Sequence, residues 1–118
     1  IERTMKSVAE REKVPVIDLN GMTKQLFESL GYENSKRALV HYPKELYGRE
    51  LADNTHFNPY GAYEVAKCVV MGMKQLQLPL VKYLRPEWQD FNPLQPDDWK
   101  TFKWVPSRMQ EIIKPDGN

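Results

Sequence analysis

Much of what a chain of 118 residues can hold is absent from this one. A single cysteine, Cys68, excludes an internal disulfide, and its place in a helical apolar pattern makes it a small core residue. The longest strongly apolar run, Val69-Val70-Met71-Gly72-Met73, falls far short of the roughly 20 residues that span a membrane. Seventeen basic residues against sixteen acidic ones give a net charge of +1, well mixed. The basic stripe that accompanies nucleic-acid binding is therefore missing. The only serines, Ser7, Ser29, Ser35 and Ser107, sit in no nucleophile motif. No signal peptide opens the chain. Its first residue is Ile rather than Met, which leaves room for a targeting segment upstream.

What is present reads as one modest domain. Hydrophobic residues make up 41% and charged residues 28%, the balance of a folded globular chain. Residues 1–12 have helical spacing, with an apolar side at Ile1, Met5, Val8 and Ala9. The β-branched run 14–19 predicts a buried parallel strand. Asn20 is a candidate N-cap for a second helix with Met22, Leu26 and Leu30 on one side and Gly31 as its stop. Residues 31–58 are loop-rich, with a short extended piece at 38–41. Asn58-Pro59 then caps and starts a helix whose apolar positions are Ala62, Val65, Ala66, Val69, Met73 and Leu76. It ends before Pro79.

The last third differs in character. Six of nine prolines and all three tryptophans (Trp88, Trp99, Trp104) lie from Pro79 onward, which excludes a long helix or a central strand. The expectation is a domain part over 1–78 and an irregular arm over 79–118, pinned by Trp88, Trp99, Trp104, Phe91 and Phe102. Sugar stacking on those rings is the competing role, with Lys100 and Lys103 attracting carboxylates. Helix, strand, helix is the grammar of a doubly wound α/β sheet. One clear strand and one weak one do not make a stable sheet, so neighbouring strands are expected from an absent N-terminal portion or a second copy.

The densest chemistry lies in Asp53-Asn54-Thr55-His56-Phe57-Asn58-Pro59-Tyr60-Gly61. An acid three residues before a histidine can fold back onto Nδ1–H and leave Nε2 free to take a proton, the relation that acid and base of a Ser-His-Asp triad need. On spacing alone Asp53 is equally a turn former and His56 a surface residue. Asn54 is a candidate substrate contact, Thr55 a turn residue, and Phe57 and Tyr60 candidate walls of the site, Phe57 also as a substrate contact. His41 with His56 and Asp53 lacks a metal-ligand spacing, so no metal or cofactor is called for.

This block, with the following Gly61-Ala62, resembles the last conserved block of the SGNH (GDSL-type) serine hydrolases, and within them bacterial rhamnogalacturonan acetylesterase-like enzymes. The 14–19 strand, the acid–histidine loop and the Pro-Tyr-Gly-Ala helix occur in the same order. The resemblance matches only the C-terminal half of such an enzyme. It implies the C-terminal portion of a three-layer αβα, flavodoxin-like sheet. His56 would be general base and then acid, Asp53 its orienting carboxylate, and an acetylated plant cell-wall polysaccharide the substrate outside the cell or in the periplasm. The nucleophilic serine and the oxyanion hole have no counterpart here, so the chain alone is expected to hydrolyse no ester.

Overall fold

The computed structural model describes residues 1–105. Four helices, α1 (Glu2–Glu12), α2 (Leu19–Ser35), α3 (Lys44–Tyr47) and α4 (Pro59–Gln75), accompany a two-stranded antiparallel sheet of β1 (Leu39–Tyr42) and β2 (Leu51–Phe57). The architecture is mixed helix and strand, as the α/β expectation requires at its coarsest level. It differs in the sheet. The 14–19 run forms no strand: residues 14–18 have no regular secondary structure, and Leu19 already belongs to α2. A parallel strand exists only through its ladder, and among the described residues no strand lies beside this run.

α2 begins two residues earlier than an Asn20 cap would place it. Asp18, not Asn20, is the cap, accepting from Gly21 N at 3.2 Å, while the Asn20 amide donates to Glu2. Gly31 interrupts the helix as expected, but as a kink at φ 76° after which helical turns resume to Ser35. β1 occupies the extended piece foreseen near 38–41.

α4 starts where Asn58-Pro59 places it, with Asn58 Oδ1 accepting from Gly61 N at 2.9 Å. Its buried row differs from the apolar stripe. Tyr60, Gly61, Glu64, Cys68 and Gly72 face inward, whereas Ala62, Ala66 and Leu76 are exposed and Val65, Val69 and Met73 half-buried. Small residues decide this. Gly61 lies against the Ala38 backbone and Gly72 against the Ile17 side chain, each so close that a Cβ would collide. Close approach of backbones selects that row over the greasier one.

Leu26, Cys68 and Phe91 form the core, with Leu19, Met22, Leu30, Val65, Met71 and Trp88 packed around them. The arm is thus anchored through Trp88 and Phe91 as expected, and Phe102 meets Tyr60 edge-on at 5.6 Å. Charges add a second set of ties. Glu64, fully buried, pairs with Lys67 at 3.2 Å and accepts from Asp97 N. Lys67 also pairs with Asp97, and Tyr60 Oη donates to the Asp97 carbonyl at 2.7 Å. Burial raises the pKa of Glu64, and Lys67 works against that. From residue 84 to 105 the arm has no regular secondary structure. No helix among the described residues is long and apolar enough to cross a membrane.

Candidate active site

The Asp53–His56 segment is not a free loop but the far end of β2. Val40 pairs with Asp53 and the next residue of β1, Leu39, pairs with Phe57, so Asn54, Thr55 and His56 are extruded between adjacent ladder positions. Asp53 shapes this bulge. Its Oδ1 accepts from Thr55 N at 2.7 Å and from His56 N at 2.9 Å, while Oδ2 meets His56 Nδ1 at 2.7 Å. One carboxylate therefore forms the turn with one oxygen and reaches the His56 ring with the other.

These contacts hold the Asp53 carboxyl down at about 2, first through the two backbone N–H groups and then through the His56 ring. An ionised carboxylate only accepts, so the proton between them sits on Nδ1 and Nε2 is the basic nitrogen. The His56 side chain is 75% exposed. A depressed carboxylate stabilises the fold fully above its ordinary value of 3.8 and loses that contribution as pH falls through about 2. The side-chain carboxyl ¹³C shift of Asp53 is expected to titrate near 2. A midpoint near 3.8 would mean that the three hydrogen bonds do not persist in solution.

The neighbours divide. Asn54 is exposed, and its Oδ1 lies 2.7 Å from His41 Nε2 across the strand pair, tying the bulge to β1. Phe57 stands beside the bulge, 43% exposed, with its ring stacked on Phe27 at 6.4 Å. Tyr60 does not wall the site. It is 5% exposed beneath the arm, and burial pushes its phenol up to about 12, leaving it a neutral donor. Sequence reasoning missed His41 as a partner of Asn54, since only the antiparallel register reveals it. It also missed Glu64, although an acid four residues before Cys68 on the same helix row was a readable signal.

No described serine bonds to His56: Ser7 lies on α1 and Ser29 and Ser35 on α2, and Ser107 lies outside the described residues. Among the described residues no cluster of three His, Cys, Asp or Glu side chains can hold a metal ion. The segment presents to solvent an imidazole whose Nδ1 is held by the Asp53 carboxylate.

Comparison with known proteins gives no matching family model and no matching solved structure. Two curated proteins of Bacillus subtilis (strain 168) do match. Rhamnogalacturonan acetylesterase RhgT is 48% identical over 83 residues, which cover 68% of this chain and 36% of the relative. The probable rhamnogalacturonan acetylesterase YesY is 35% identical over 83 residues, 70% of this chain and 36% of the relative. Wherever a stretch of that length begins within 118 residues, it runs through Asp53, His56 and α4. The match spans little more than a third of either relative.

Proposed function

This chain is a homologue of rhamnogalacturonan acetylesterases, and we propose that it supplies the base and acid of a serine esterase whose nucleophile lies in a separate N-terminal part. The observation that carries this reading is the Asp53–His56 pair, with Nδ1 occupied and Nε2 the basic nitrogen. In the assembled enzyme Nε2 removes the serine proton as the hydroxyl attacks an acetyl carbonyl. The imidazolium, supported by Asp53, then protonates the departing sugar oxygen. Water attacks the acetyl-serine with His56 again as base, releasing acetate. The substrate class is an acetylated pectic polysaccharide, as the relatives' names indicate for them.

Fold features support a larger assembly. Residues 14–18 lie in no sheet ladder, leaving their edge without a strand neighbour among the described residues, and Met5, Val8, Val14 and Val16 line an apolar groove of about 420 Å³ beside them. In this reading the N-terminal part pairs with that edge and covers that groove, completing a three-layer αβα sheet. A second copy of the chain is the other candidate for the same edge.

Co-expression with the complementary N-terminal segment of the RhgT relative tests the proposal. Cleavage of a chromogenic acetyl ester is expected from the pair and from neither piece alone. Activity of this chain by itself overturns the split. A folded but inert complex favours the second reading, a non-catalytic carbohydrate-binding or structural module. That reading draws on the absence, among the described residues, of any serine bonded to His56.

A further inference from the structure

The acid–base chemistry leaves unused a set of aromatic and basic side chains where the arm crosses β1 and the start of α4. Arg37, His41, Tyr42, Trp99, Phe102 and Trp104 line a groove of about 330 Å³. The tryptophans of the arm have separate fates. Trp88 packs on the core, whereas Trp99 and Trp104 face this groove and Trp104 is 54% exposed. The Arg37 guanidinium carbon lies 4.4 Å from the Trp99 ring centroid, and Lys100 Nζ approaches the same ring at 5.7 Å.

Two features give the groove a chemical preference. Among the described residues Arg37 is in no ion pair. Its contact with Trp99 holds the planar guanidinium in place, so little further ordering is needed to receive a carboxylate. The two carboxylates that precede Trp99 are occupied: Asp97 pairs with Lys67, and Asp98 Oδ1 accepts from the Lys100 backbone N–H. Trp104 meanwhile offers an open aromatic surface, suited to the CH face of a sugar ring. At the other wall His41 bonds to Asn54, the residue next to Asp53, so the groove adjoins the catalytic bulge.

We propose that this groove is a subsite for an acidic sugar, with a uronate carboxylate on Arg37 and the ring face on Trp104. The assignment rests on the polysaccharide-esterase reading above and adds to it a location and a charge. A single-stranded nucleic acid also uses aromatic rings and cations, but a chain of net charge +1 lacks the continuous basic track that a phosphate backbone follows.

Calorimetric titration of the full 118-residue chain with trigalacturonate tests it, with a neutral galactose trisaccharide and a thymidine oligonucleotide as comparators. Trigalacturonate is expected to bind at least roughly tenfold more tightly than the neutral trisaccharide, and Arg37→Gln to remove roughly ten- to a hundredfold of that affinity. Trp104→Ala, at an exposed position, is expected to cost about tenfold. Absence of binding overturns the proposal, as do binding unchanged in both variants and equal binding of either comparator. The same titration on the assembled enzyme separates the two readings. Acetyl-ester cleavage without uronate binding removes the subsite and leaves the triad. Uronate binding without cleavage does the reverse.

Discussion

In the assembled esterase, His56→Ala is expected to lower kcat by about 10⁵-fold or more, and Asp53→Asn by roughly 10⁴-fold. The two losses have different causes. Alanine removes the group that, in the proposed mechanism, takes the serine proton. Asparagine keeps an oxygen that can still accept from Thr55 N and His56 N, so the bulge survives. Its amide N–H₂ then faces Nδ1, which must become the acceptor, and the ring proton moves to Nε2, where a base is needed. Steady-state kinetics on a small acetyl ester read both losses. An Asp53→Asn enzyme within tenfold of wild type would show that Asp53 only shapes the turn.

Gly61→Ala is expected to be the most destabilising single methyl in the described chain. A Cβ at residue 61 falls far inside van der Waals contact of the Ala38 carbonyl, and the obstacle is backbone on a residue that is itself fully buried. That same carbonyl accepts from Asn58 N at 3.2 Å, so it cannot swing away without uncapping the approach to α4. We expect a loss of at least about 3 kcal/mol. At roughly 4–8 °C per kcal/mol for a chain of this size, thermal unfolding shows it readily. Gly48→Ala is the control. Its φ of 72° and ψ of −10° impose left-handed backbone strain of about 1 kcal/mol, but no atom lies within contact of the added methyl. Equal shifts for the two variants would mean that α4 does not sit against Ala38.

The contrast between those glycines shows what the sequence made legible. Asn58-Pro59 announces α4 because cap and proline act locally, and Asp53 reaching His56 follows from a three-residue separation. Leu26 lies in the core because apolar periodicity selects it. The inward row of α4 could not be read this way. It is set by how closely Ala38 and Ile17 approach Gly61 and Gly72, a property of two elements together. The pairing of β2 was equally hidden, since Leu51-Ala52-Asp53-Asn54-Thr55-His56-Phe57 neither alternates nor is rich in strand formers. Residues 14–18 erred in the opposite direction. Their β-branched character is that of a strand, but the partner that would make them one is not among the described residues.

The bulge at Asn54, Thr55 and His56 has an implication for how such a site can be altered. Two ladder rungs, Val40 with Asp53 and Leu39 with Phe57, fix both ends of a three-residue excursion, and one side chain fills its interior. The shape of the bulge and the placement of the imidazole therefore both depend on one side chain, through its two different oxygens. An added residue between 53 and 57 would displace the imidazole along with the loop, whereas residues 43–50, which join the strands, carry no such coupling. Insertions for labelling or cross-linking belong in that connection, where the segment's length is free of the chemistry.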